Sequence, residues 1–343
     1  RDTGSPPIPE AQGWTRSYNG ALGPLIDLSQ AVPGYPPHPD MLRHLSEAAG
    51  TAAAARYGDI LGDQPLRDAY SAEIVRRYSG DVSSNDVAIT AGCNQAFVVT
   101  MMTIARQGDS VIVPSPWYFN HDMTLGMLGI KAEPLPCQAA NGFVPSCAEA
   151  EKLITPSTRA IVLVTPNNPT GGTDAPADIL ALAASLPEDV IFCLDEAYAE
   201  YLDASADLRP LMRSGRKVVV TRTFSKAYGL AGLRVGYLMG SPEVVALLNR
   251  VRQPFNVNLP ALAAAEAALD DEAFVRRTRE VNAAGIVQLK AGLARLGCEV
   301  IDGHANFLAA RIPDAEQAFT KLQRAGVIVR PLAGYGMKGW LRL

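Results

Sequence analysis

Lys226 stands in the run Thr223-Phe224-Ser225-Lys226-Ala227-Tyr228-Gly229, just after the β-branched stretch Lys217-Val218-Val219-Val220-Thr221. That stretch reads as a buried strand, so a lysine is delivered at a strand's end among small residues. Burial lowers a lysine's pKa and frees its amine as a nucleophile, which suits imine formation with a carbonyl. Eight residues later Arg234 opens a second apolar run, Val235-Gly236-Tyr237-Leu238-Met239. Its planar, permanently charged fork suits a phosphate. Alone, a lysine near glycines reads as a solvated loop charge; the surrounding motifs give it company.

An imine-forming lysine beside a phosphate-binding arginine points to pyridoxal 5′-phosphate (PLP). Ala91-Gly92-Cys93-Asn94 lies between a strand and a helix, where exposed N–H groups and a close-approach glycine can cradle an anion. Thr165-Pro166-Asn167-Asn168-Pro169 ends another strand; its prolines fix the turn and aim Asn168, or the pair simply forms an Asx turn. Asp195 follows four apolar residues, Ile191 to Leu194, and so needs a partner: a pyridinium N–H, or a helix start that it caps. An acid holding the ring protonated makes the ring an electron sink. Tyr198 can join Asn168 on the ring oxygen. After Val113 come Trp117, Tyr118 and Phe119, of which one could stack on a flat cofactor or all could fill a core. His121 can orient Asp195 from behind, or be an ordinary histidine.

The elements that position these residues alternate. Strands are predicted at Val87–Thr90, Ser110–Val113, Ala160–Val164, Val190–Leu194, Val218–Thr221 and Val235–Met239, with helices between, as at 94–105 and 175–185. Such alternation implies an α/β fold with a largely parallel sheet covered on both faces, and functional residues beyond strand C-termini. Helices are expected at 39–49 and 65–78, the latter with proline in its first turn. The Pro-rich opening, densest at 31–39, reads as an extended arm. After Pro242 a long helix over 271–296, short strands at 307–310 and 327–329 and a helix at 314–325 suggest a smaller α+β unit.

Composition narrows the classes. The chain of 343 residues suggests about two domains, with 48% hydrophobic and 19% charged residues, ordinary for a globular enzyme. A net charge of −4 without a basic cluster argues against nucleic acid. Five cysteines without a C-x-x-C pair and four scattered histidines indicate neither a disulfide framework nor a metal site. No stretch approaches a membrane span, and the start lacks a signal-like core, so a cytoplasmic address is expected.

The ordered set Gly92-Cys93-Asn94, Trp117-Tyr118, Asn167-Asn168-Pro169-Thr170-Gly171, Asp195-x-Ala197-Tyr198, Ser225-Lys226 and Arg234 resembles the class I/II aminotransferases of PLP fold type I, over about residues 27 to 342. The resemblance implies residues 1–50 as an N-terminal arm with part of a small domain, 51–270 as the large PLP-binding domain, and 271–343 as a small C-terminal domain. It implies that Lys226 carries PLP and shuttles a proton, that Asp195 binds the pyridine nitrogen, and that Asn168 and Tyr198 contact the ring hydroxyl. Tyr118 would stack on the ring. The phosphate would meet the Cys93 and Asn94 amides after Gly92, with Thr223, Ser225 and Arg234. Tyr57 would reach a neighbouring subunit's phosphate, making the active unit a homodimer. Arg342 would clamp a substrate carboxylate, and Gly34 would lie in a loop closing over the substrate. Arg330 occupies the place where histidinol-phosphate aminotransferases hold a distal phosphate, or it forms a surface ion pair.

Two departures stand out: Ser29-Gln30-Ala31-Val32-Pro33-Gly34 differs from the Asn-Glu-Asn-Pro loop of the histidinol-phosphate branch, and the sequence ends one residue after Arg342, which leaves a missing C-terminal segment or a short small domain. The expected activity is ping-pong transfer of an amino group between an L-amino acid and a 2-oxo acid. A PLP lyase or decarboxylase on the same scaffold, such as a threonine-phosphate decarboxylase, and a non-catalytic PLP-binding regulator are the alternatives, because the cofactor residues alone do not select the bond broken.

Overall fold

A computed structural model describes residues 8–60, 62, 64–78, 81–139 and 142–343. Thirteen strands are described. β1 is Ile26–Asp27; β2 to β8 are Val87–Thr90, Ser110–Ser115, Lys131–Pro136, Thr158–Val164, Ile191–Asp195, Val218–Thr223 and Gly236–Met239; β9 to β13 are Glu299–Val300, Ala309–Arg311, Val327–Ile328, Arg330–Pro331 and Trp340–Arg342.

β2 to β8 form one sheet in the order β2-β8-β7-β6-β5-β3-β4. All run parallel except β8, which lies antiparallel between β2 and β7. Side chains alternate between two covered faces. Ile89, Ile112, Ile161, Leu163, Phe192, Leu194, Val218 and Val220 pack with helices Gln64–Tyr78, Pro176–Ser185 and Leu259–Asp270. Ala88, Val111, Val113, Val162, Cys193, Val219 and Leu238 pack with helices Cys93–Ile104, Phe119–Leu128 and Pro242–Val251. Burial of both faces is why the strands read as nearly unbroken apolar runs.

β4 is an addition to the predicted strands. Its sequence, Lys-Ala-Glu-Pro-Leu-Pro, carries two charges and two prolines. As the edge strand it pairs with β3 alone, which tolerates the missing proline N–H groups.

The smaller sheet has the order β12-β13-β10-β9 and is antiparallel. Helices Glu272–Arg295 and Ala315–Arg324 accompany it. The strand expected over 327–329 is present as β11, which pairs in parallel with β1 outside the smaller sheet, and β12 follows it at 330–331, pairing with β13. The arm also departs from an extended form, because Ile8–Ser17 is helical and Trp14 packs edge-on against Phe319 at 4.8 Å. No described helix is long and apolar enough to cross a membrane.

Candidate active site

The connection from β7 to β8 carries Lys226 past the C-terminal end of β7. Thr223 Oγ1 accepts from the Ser225 N–H at 3.1 Å, and the Gly229 N–H returns to the Lys226 carbonyl at 2.9 Å, so the loop is held by its own backbone. Lys226 Nζ donates to the Ala31 carbonyl at 3.0 Å and sits 5.3 Å from the Tyr198 ring centroid. Its pKa falls from 10.5 to about 7: burial is the main cause, the positive charges of Arg342, Arg330 and Arg234 add to it, and Asp195 opposes them. A substantial share of the amine is thus neutral near pH 7, in a cavity of about 270 Å³.

Asp195 ends β6 and is 4% exposed. Its Oδ1 accepts from the Ala197 N–H at 3.0 Å, and Oδ2 lies 3.2 Å from His121 Nε2. His121 is itself packed on Phe97, ring centroids 4.1 Å apart. The Cys93 Sγ lies 3.2 Å from Asp195 Oδ1.

The turn before helix Cys93–Ile104 meets Arg234. Gly92 has φ of 80°, and a Cβ there would lie 2.6 Å from Arg234 Nη2. A Cβ on Gly236 would collide with the Arg222 carbonyl at 2.7 Å and with the Gly92–Cys93 peptide at 2.7 and 2.8 Å. Both glycines therefore permit a close approach that no other residue allows. Arg234 Nη1 donates to Ser225 Oγ at 3.0 Å. Cys93, Asn94, Thr223, Ser225 and Arg234 all line the cavity, so the free N–H groups of a helix start face a guanidinium and two hydroxyl-bearing residues.

Asn167 and Asn168 divide the roles left open by sequence. Asn167 Oδ1 accepts from Thr170 N–H at 3.2 Å and Thr170 Oγ1 at 2.9 Å, making the turn. Asn168 faces the cavity, its Nδ2 donating to Tyr198 Oη at 3.0 Å and its Oδ1 accepting from Arg342 Nη1 at 3.0 Å. The aromatics also separate: Trp117 joins the hydrophobic cluster below the sheet, whereas Tyr118 lines the cavity with its hydroxyl pushed up to about 12 by burial.

Arg330 and Arg342 are directly opposite in the β12–β13 register, and both line the cavity. They are 5% and 2% exposed, and the Nε of each lacks a hydrogen-bond partner. Arg342 Nη2 donates to the Ser29 carbonyl at 2.8 Å, and its pKa is drawn down to about 10 by burial and by the Arg330 charge. Like charges placed opposite one another repel. Two guanidiniums with no carboxylate partner among the described residues give this end of the cavity a chemistry suited to anions.

Two of the singled-out residues do not line this chain's cavity. Gly34 is exposed and outside the lining; Gln30, Ala31 and Val32 line it instead. Beyond Pro33 the chain leaves the crevice, and Tyr35 Oη is tied to Thr278 Oγ1 of the long helix at 2.7 Å. Tyr57 is 84% exposed, resting on Phe255 at 4.5 Å, outside this chain's own cavity. Conversely, the Ser29 and Ala31 carbonyls are contacts that side-chain types do not advertise.

A family profile described as aminotransferase class I and II matches residues 24–343. Histidinol-phosphate aminotransferase 2 of Ralstonia nicotianae is 39% identical over 306 residues, covering 86% of this chain and 81% of that protein. Histidinol-phosphate aminotransferase 1 of Dechloromonas aromatica is 40% identical over 264 residues, 76% of this chain and 72% of that protein. A tetra mutant of Thermus thermophilus aspartate aminotransferase superposes with a TM-score of 0.84 at 26% identity, covering 94% of this chain and 92% of the other.

Proposed function

This chain belongs to the aminotransferase class I and II family, and we propose that it carries PLP on Lys226 and takes an amino donor bearing a phosphate monoester, of the histidinol phosphate kind. Amino-group transfer is the family's chemistry; the donor is the further step.

The residues fit PLP. An ionised carboxylate has about four lone-pair positions. On Asp195 three are directed at Ala197, His121 and Cys93, which leaves one for a ring N–H. The Gly92 turn, Arg234, Ser225 and Thr223 offer donors suited to a phosphate. Bound there, PLP supplies an electron sink for the bonds at the substrate's Cα. Asp195, steadied by His121, holds a proton at the ring nitrogen. Tyr198 and Asn168 donate to the ring oxygen, and Tyr118 covers a ring face. Lys226, with its pKa near 7, is matched to take and return the Cα proton at neutral pH. Residues 51–270 act as the cofactor-binding unit, with 1–50 and 271–343 supplying the substrate side. The exposed Tyr57 suits a homodimer in which it reaches the phosphate of the second copy.

The observation that carries the donor is the Arg330–Arg342 pair. One bidentate arginine satisfies a carboxylate, whereas two adjacent guanidiniums match a group carrying about −1.5 to −2 charges. A dicarboxylic 2-oxo acid would suit the same pair in the returning half-reaction.

The test is titration of the PLP-loaded protein with L-histidinol phosphate, L-histidinol and L-glutamate, following the visible band. L-Histidinol phosphate should bleach it, and a 2-oxo acid should restore it. L-Histidinol should need about 10- to 100-fold more, the value of charged hydrogen bonds of roughly 1.5–3 kcal/mol. Arg330→Met should narrow that gap. Equal response to histidinol and its phosphate refutes the donor; no response to any amine refutes the reading altogether.

A further inference from the structure

The Cys93 thiol contacts two groups. Its Sγ is 3.2 Å from Asp195 Oδ1 and 3.0 Å from Thr221 Oγ1. A thiol has one proton, and an ionised carboxylate can only accept. The S–H therefore points at Asp195, and the Thr221 hydroxyl donates to the sulfur. The order is a relay, Thr221 O–H to Cys93 S–H to Asp195 Oδ1, running across β7, the helix Cys93–Ile104 and β6. All three residues are buried. Burial and the Asp195 charge push the thiol pKa well above its ordinary value, so the proton stays on sulfur. His121 cannot take this place, because it faces the other oxygen, Oδ2.

We propose that the Cys93 thiol, itself accepting a hydrogen bond from the Thr221 hydroxyl, is a positioning residue that fixes the rotation of Asp195 and tempers its basicity toward a cofactor ring nitrogen. The inference rests on the reading that Asp195 receives that nitrogen. A carboxylate that gives part of its electron density to a thiol offsets less of the ring's positive charge. Removing the donor strengthens that offset, and a proton at the PLP-bound Lys226 nitrogen, at the far end of the conjugated system, is then held to higher pH. A cysteine that only fills space has no such effect on a titration.

The experiment is a pH titration of the visible band of the PLP-loaded protein, with PLP release measured in parallel, for wild type, Cys93→Ala, Cys93→Ser and Thr221→Val. Cys93→Ala should move the midpoint upward by about threefold to tenfold in proton affinity, less than the full effect (about 10-fold or more) of a hydrogen bond to a charged group because it reaches the Lys226 nitrogen only through the ring. Thr221→Val should move it in the same direction by less, and Cys93→Ser should return it close to wild type by restoring a donor. An unchanged midpoint in Cys93→Ala overturns the inference, as does Cys93→Ser behaving like Cys93→Ala. Asp195→Asn separates the underlying reading: if that variant keeps the wild-type midpoint and PLP retention, Asp195 does not hold the ring nitrogen, and the inference falls with it.

Discussion

In the cofactor-free protein, Lys226 should titrate near pH 7 and not near 10.5. The drop amounts to at most roughly 5 kcal/mol of bias against the ammonium form, an upper figure because part of the side chain faces cavity water. At pH 8 about nine amines in ten are then neutral, against fewer than about one in a hundred for an ordinary lysine. Trace acetylation followed by peptide mass spectrometry reads this directly, with exposed Lys217 as internal reference. The Lys226 labelling rate should rise with a midpoint near 7, and Arg330→Met should raise that midpoint by removing one of the charges that depress it. The same shift has a stability consequence. Because the folded pKa lies below the unfolded one, the unfolded chain binds more protons between about pH 7 and 10.5, so stability rises with pH across that window. The penalty is complete below pH 7 and gone above 10.5. Lys226→Met should therefore stabilise the cofactor-free protein at pH 6 more than at pH 10, in urea melts. A labelling midpoint above about 9, together with a Lys226→Met advantage that ignores pH, would refute the reasoning.

Two further substitutions probe the scaffold. Gly92→Ala puts a methyl 2.6 Å from Arg234 Nη2 at a φ of 80°; it should cost about 1–3 kcal/mol in a thermal melt and weaken PLP binding in equilibrium dialysis about tenfold or more. Glu196→Gln breaks a buried pair in which Arg222 Nη2 lies 2.7 Å from Glu196 Oε2, and should cost about 3–5 kcal/mol in urea, part of which Arg222→Met should recover in the double variant.

The large sheet is legible because its central strands are apolar runs ending at turn residues. Asp195 and Lys226 are legible for a related reason: each is a charged group just past such a run. β4 escapes because an edge strand can carry Lys131, Glu133 and two prolines without the pattern of a buried strand. Gly34 lies just past Gln30, Ala31 and Val32, the residues of its loop that line the cavity. Ser29 and Ala31 contribute carbonyl oxygens, which every residue possesses, so no choice of side chain marks them. Cys93 is readable for its amide at a helix start; its thiol contact depends on three elements meeting and leaves no local trace.

The hydrogen bond from Arg342 to the Ser29 carbonyl ties together residues 313 positions apart. A contact of that separation carries a closure entropy that nearer contacts escape, and this delays it during refolding. If the two arginines receive an anion as proposed, that competence should be the last a renaturing molecule acquires, after the sheet has condensed. A recovering population would pass through a stage in which PLP is already captured by the loops around Lys226 and Arg234 while phosphorylated amines are still ignored.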